Sequence, residues 1–167
     1  KASQTKNIKL KLNKVKYKID IIELSLYLET QNPKINFKKV NIPVQNIKVY
    51  VDFSSILKSE PKIKKTNIFL KELDISQLNK LSYLIKPSNF KSLINNKIRE
   101  GKIISEIEIF FTDQGLLKDF IAKGEVKNLK AELISNFFIS NARLSFFADK
   151  NDILIKNIFA NLEDFEI

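Results

Sequence analysis

A two-residue period constrains this chain more than any other feature. In NIKLKLNKVKYKID, residues 7–20, Ile8, Leu10 and Leu12 alternate with Lys9 and Lys11. After Asn13, Val15, Tyr17 and Ile19 alternate with Lys14, Lys16 and Lys18. Successive side chains of a strand point to opposite faces, so this text builds a sheet with one apolar and one cationic face. What covers the apolar face is the question the rest of the sequence has to answer.

The alternation continues along most of the chain. Ile22, Leu24, Leu26 and Leu28 follow with a phase slip after Ile21, and Asn32-Pro33 marks a turn. Ile35 and Phe37, then Val40 and Ile42 before Pro43, lead into the regular run Ile47, Val49, Val51, Phe53, which Glu60-Pro61 breaks. After Gly101 come Ile107, Ile109 and Phe111, a turn at Asp113-Gln114-Gly115, and then Phe120, Ala122, Gly124 and Val126. A Lys127-Asn128 break precedes Leu129, Ala131 and Leu133. Ala142, Leu144, Phe146 and Ala148 follow, and Asn151-Asp152 turns the chain into Ile153, Ile155, Ile158, Ala160 and Leu162. Turn signals at this spacing predict a mainly β fold, a twisted antiparallel meander.

One region changes period. Leu78, Leu81 and Ile85 follow Ser76 at helical spacing and stop at Pro87; Phe90, Leu93, Ile94 and Ile98 follow Ser88 and end at Gly101. The spacing predicts a short two-helix insertion over about 76–100, with Gly101 as the left-handed residue that closes it. The expected organisation is a single β-rich domain over residues 1–167, excised from a longer protein, since the text has no initiator Met and stops at Ile167 amid strand-like residues.

Composition narrows the chemistry. Cys, His, Met and Trp are absent, which removes thiolate sites and the commonest general base and metal ligand. The expectation is a protein that is not an enzyme and holds no cofactor or metal. Glu106 and Glu108 share a strand face about 7 Å apart on the solvent side, which is a poor acid pair. No run approaches the ~18 apolar residues of a membrane helix, and no signal peptide opens the chain.

Charge is uneven. Residues 1–71 hold 16 Lys against 5 acids, a balance of +11, whereas residues 72–167 hold 13 basic against 14 acidic residues, a balance of −1. Only Arg99 and Arg143 are Arg, and nucleic-acid readers favour Arg for bidentate contacts. The lysines therefore read as a solvated face, with no nucleic-acid partner expected. Lys62, Lys64 and Lys65 after Pro61 read as a solvated loop or a contact for lipid headgroups.

A rough area count sharpens the opening question. About nine strands at ~4.8 Å spacing and ~30 Å length present a face of ~1,300 Å². Two helices of ~10 residues cover ~300 Å² of it. The remainder calls for closure of the sheet on itself, for adjoining segments of the same chain, or for an apolar ligand.

The passage KPSNFKSLINNKIREGKIISEIEIFFTDQGLLKDFIAKGEVKNLKAEL, with Pro87, Leu93 and Gly101 in place, resembles the AsmA-like superfamily of bacterial envelope proteins, which includes the AsmA, TamB and YhdP types. It is most like the central region of the YhdP type, in which a Pro precedes a short helix, a Gly closes it and strands follow. FFISNARLSFFADKNDILIKNIFANLEDFEI is similar to the strands that come next, and IKVYVDFSSILKSEPKIKKTNIFLKELDISQL has the character of AsmA-type repeats. The chain departs from the pattern at Ser92, where an aromatic commonly precedes the helix Leu.

The resemblance implies a β-groove protein of the bacterial cell envelope. Such proteins are periplasmic and anchored in the inner membrane, here by parts outside this segment, and carry phospholipid toward the outer membrane. Phospholipid acyl chains would then cover the apolar face. The residues expected to line the groove are Ile47, Val49, Val51, Phe53, Ile107, Ile109, Phe111, Leu144 and Phe146. The alternative is a structural or interaction domain that packs the same residues in a closed core and binds no lipid.

Overall fold

The computed structural model describes residues 8–21, 25–37, 40–75, 77, 97–134 and 137–162. They form an open antiparallel sheet of 11 strands and one short helix. The elements are β1 (Ile8–Lys11), β2 (Val15–Asp20), β3 (Ser25–Gln31), β4 (Lys34–Phe37), β5 (Val40–Val51), α1 (Phe53–Leu57), β6 (Ile63–Leu70), β7 (Leu73–Asp74), β8 (Ile98–Phe111), β9 (Leu117–Ile134), β10 (Phe137–Asp149) and β11 (Ile153–Leu162). The hydrogen-bonded order is β1-β4-β5-β6-β8-β9-β10-β11, with β2 on β3, β3 on β5 and β7 on β8. Mainly consecutive strands pair, as a meander requires.

The helical expectation needs correction. The two-helix insertion at about 76–100 is not seen among the described residues. Within that span residues 77 and 97 are helical, residues 98–100 open β8, residues 76 and 78–96 lie outside the described residues, and Gly101 sits inside β8 instead of closing a helix. Gly101 has φ 156, and a Cβ there would press on Ile75 Cγ1 at 3.1 Å and Leu129 Cδ1 at 3.3 Å. The need for glycine was legible; its cause is strand packing instead of a helix cap.

The chain divides into two compact units. The first comprises residues 1–71, 106–122 and 148–152. At its centre is β5, which pairs with β4 through residues 40–43, with β3 through residues 46–51, and with β6 over residues 44–51. Pro43 does not end β5. Its fixed φ suits an extended strand, and its carbonyl accepts from Lys71 N at 2.8 Å.

The second unit comprises residues 72–105, 123–147 and 153–167. Its core is Val126, Leu129 and Ala131 of β9 against Ile139 and Ala142 of β10, with Ile98, Ile103, Leu144 and Phe146 packed around them. The buried positions step by three at Val126–Leu129 and Ile139–Ala142, and by two elsewhere. Each three-residue step spans an Asn in the left-handed region, Asn128 at φ 51 and Asn141 at φ 48. Asn tolerates that conformation, and one extra residue returns the next apolar side chain to the same face. Lys127-Asn128 is therefore a phase correction inside an 18-residue strand, where the sequence suggested a break.

Gly124 lies where strands approach closely. A Cβ there would stand 2.1 Å from the Ile104 carbonyl oxygen and 3.0 Å from two ring carbons of Phe146. Beside it, Ser105 Oγ donates to the Lys123 carbonyl at 3.1 Å. Backbone cannot yield as a side chain does, so Gly124→Ala must spread β8 from β9. We expect it to destabilise the protein by about 1–3 kcal/mol, read as a lower urea midpoint with an unchanged slope.

Candidate functional site

Pairing register, more than any single residue, builds the candidate site. Directly paired residues point to the same side of a sheet. In the first unit, Val15 pairs with Thr30, Thr30 with Ile47, Ile47 with Ile68 and Ile68 with Ile107. The next row runs Tyr17, Leu28, Val49, Thr66 and Ile109. A third runs Ile19, Leu26, Val51 and Ile63. A contiguous apolar face thus crosses β2, β3, β5, β6 and β8, a span of about 20 Å at ~4.8 Å per strand.

Burial grades across this face. Ile47 and Val51 are buried, as is Thr30 between them and the edge. Leu26, Leu28, Val49, Ile68, Ile107 and Ile109 are half-buried. At the β2 edge Tyr17 is 76% and Ile19 73% exposed, so the apolar rows run out into solvent.

The opposite face carries the rows Lys16, Glu29, Lys48, Asn67, Glu108 and Lys18, Tyr27, Tyr50, Lys65, Phe110. Lys18 Nζ and Glu29 Oε2 form an ion pair at 2.5 Å. The hydrogen bond to Glu29 holds the Lys18 ammonium above its ordinary value. Lys48 lies 5.5 Å from the Tyr27 ring and 5.4 Å from Phe69, and Lys65 lies 4.5 Å from the Tyr50 ring. The Tyr27 and Tyr50 rings meet tilted at 33°, with centroids 5.1 Å apart. Asn67 Nδ2 donates to Glu106 Oε1 at 3.1 Å, so Glu106 serves as an acceptor in the sheet surface.

The expected lining residues fall into three places. Ile47, Val49, Val51, Ile107 and Ile109 share the apolar face, and Phe111 continues their alternation on β8. Leu144 and Phe146 lie in the other unit, against its core cluster. Phe53 is not in a strand at all. It opens α1 and is more than half exposed. The expectation missed Leu26, Leu28 and Ile68, which only the register brings beside Val49 and Ile47. It also missed Thr30 and Thr66, whose polarity hid their place on an apolar face.

A cleft of about 310 Å³ adjoins Ile63 and Phe111. It is lined by Asp52, Ser54, Ser55, Lys58, Glu60, Lys62, Lys64 and Asp113, a balanced set of ammonium and carboxylate groups. Local hydrogen bonds set its floor. Asp52 caps α1, accepting from Ser55 N at 2.9 Å and from Ser54 Oγ at 2.5 Å. The buried Ser55 hydroxyl donates to the Asp52 carbonyl at 2.6 Å and accepts from Lys62 N at 2.9 Å, tying helix to strand. Lys62 and Lys64 stand exposed at the rim. Among the described residues no acidic group of three or more could hold a metal ion, and no helix is long and apolar enough to cross a membrane.

Two outcomes test this geometry. Ile47→Ala should cost about 2–4 kcal/mol as a core truncation, whereas Ile19→Ala at the open edge should change stability by no more than about 0.5 kcal/mol. Equal urea midpoints for the two variants would contradict the graded burial. The second concerns Asp52, which Ser54 and the Ser55 backbone hold below its ordinary value of 3.8. A lowered carboxyl pKa stabilises above the unfolded value and is lost as pH falls through the folded one. The Ser55 amide should therefore stay protected from exchange from neutral pH down to 3.8 and lose protection below it, with Asp52→Ala abolishing the protection throughout.

Comparison of the chain with known protein families, curated proteins and solved structures finds no match.

Proposed function

We propose that the apolar face of the first unit holds the acyl chains of a phospholipid, and that the chain is a segment of an AsmA-like protein of the bacterial envelope. In this reading the protein is periplasmic, anchored in the inner membrane by parts outside this segment, non-enzymatic, and carries lipid toward the outer membrane. The observation that carries it is the run of three apolar rows, two across five strands and one across four, into an exposed edge at Tyr17 and Ile19.

The energetics suit such a ligand. Each buried methylene contributes ~0.8 kcal/mol, so an acyl chain laid across the rows offsets much of the cost of leaving a bilayer. The graded, undirected contacts of Val49, Leu28 and Ile109 favour sliding over fixed seating. At the end of the face, the cleft by Ile63 and Phe111 offers both Lys and carboxylate groups to a polar head. No step of this function needs bond chemistry.

A second reading has its own support. Ile47, Val51 and Thr30 are already buried without any ligand, as a closed structural core would have them. Native mass spectrometry with lipid extraction separates the two. The lipid reading expects co-purified phospholipid that falls several-fold in Val49→Trp, which fills the face with an apolar ring, and is retained in Lys48→Gln on the other face. A lipid-free chain, or lipid lost equally from both variants, would leave the structural domain standing.

A further inference from the structure

The apolar face of the first unit ends at the cleft beside α1, and a bulge joins the two. Tyr50 pairs with Lys65 and Val51 with Ile63, so Lys64 is an extra residue on β6. An extra residue lets two neighbours of one strand face the same side. Lys64 and Ile63 accordingly line the cleft together, with Phe111. Ile63 belongs to the apolar row of Ile19, Leu26 and Val51, and Phe111 continues the alternation of Ile107 and Ile109. The cleft therefore opens directly off the apolar face.

Three lysines, Lys58, Lys62 and Lys64, and three carboxylates, Asp52, Glu60 and Asp113, line it. Asp52 is committed to the α1 cap. Lys58 and Lys64 stand close enough to its carboxylate to add to the lowering of its pKa by Ser54 and Ser55. The other five charges form no ion pair among the described residues. Ammonium and carboxylate groups that share one cleft without pairing leave both kinds of partner to a ligand. The volume of about 310 Å³ is at the lower end of the ~300–1,000 Å³ of ligand pockets, the scale of a polar head without its acyl chains.

We propose that this cleft seats a phosphoethanolamine head, whose phosphodiester oxygens accept from Lys58, Lys62 and Lys64 and whose primary ammonium donates to Glu60 and Asp113. The inference rests on the acyl-chain reading of the apolar face and adds to it the class of head. Charge-assisted hydrogen bonds of both signs are the contacts such a head can make. A phosphoglycerol head carries the phosphate alone, so Glu60 and Asp113 would face an anion with no cation between them. A quaternary choline head has no N–H to give the carboxylates. Selection thus comes from repulsion and from unmet acceptors as much as from attraction. Ile63 and Phe111 start the acyl chains toward Val51 and Ile109.

The test is native mass spectrometry of the 167-residue chain after incubation with vesicles of equal parts phosphatidylethanolamine, phosphatidylglycerol and phosphatidylcholine of identical acyl chains. The expected result is phosphatidylethanolamine bound about fivefold or more over either of the others, as exposed charge contacts allow. The double variant Glu60→Gln, Asp113→Asn should bring the three classes close to parity while total bound lipid is unchanged, because the apolar rows are intact. Both side chains are exposed, so the fold survives their neutralisation, and an unchanged urea midpoint verifies that. Lys48→Gln on the opposite face should leave the preference where it was. Lipid bound without preference, or a preference that persists in the double variant, would overturn the head-group site and leave the acyl-chain reading standing. A chain that takes up no lipid of any class would overturn both.

Discussion

Cross-strand register is the constraint on which the first unit depends. Ile47 lies between Thr30 and Ile68, and Val49 between Leu28 and Thr66. A slip of one residue at β5 would exchange Val49 for Lys48 and Tyr50, placing an ammonium among Leu28 and Ile109. The same slip would move Lys48 from its place opposite Glu29 and bring an apolar residue there, while Glu29 keeps its ion pair with Lys18. The polar face therefore favours the same alignment as the apolar rows. Bulges between Val44 and Asn46 and between Tyr50 and Val51 then absorb mismatches at the ends of the β5–β6 pairing without disturbing the central rows.

The second unit meets the same demand with different means. Its long strands would drift out of phase with a strict two-residue period, because twist and packing change along 18 residues. Asn128 and Asn141 restore phase at matching places in adjacent strands, just ahead of Leu129 and Ala142. Gly101 and Gly124 answer a different need. At Gly124 the Ile104 carbonyl leaves no room for a Cβ, and at Gly101 the Ile75 and Leu129 side chains would crowd one. The chain has three glycines, and two of them are at these contacts.

How far the sequence could be read follows from these mechanisms. Strands β1, β2, β10 and β11 were legible because alternation is local. The phase change from Ile155 to Ile158 was visible, and the structure supplies its cause in Asn157. α1 was hidden, since Val51 and Phe53 extend the alternation and mask Asp52 as a helix cap; the stretch Asp52-Phe53-Ser54-Ser55 before Pro61 was the available signal. Tyr27, Tyr50 and Phe69 were not placed with the lysines, because their neighbours are known only once β3, β5 and β6 are aligned. For the same reason the apolar face was read residue by residue, with Leu144 and Phe146 grouped by type although they serve the second unit's core.

The lysine face changes what the charge of the first half can do. Lys18 is bound to Glu29, Lys48 lies by Tyr27 and Phe69, and Lys65 lies over Tyr50. The Lys48 and Lys65 ammonium groups lie over the ring faces, where the ring quadrupole attracts a cation. Tyr50 is buried by this arrangement although it points away from the apolar rows. To bind a polyanion, these lysines would have to leave partners they already hold. Covering the apolar rows displaces only water from Tyr17, Ile19 and their neighbours, and breaks no polar contact. On this sheet the apolar face is the one on which a ligand gains most and disrupts least.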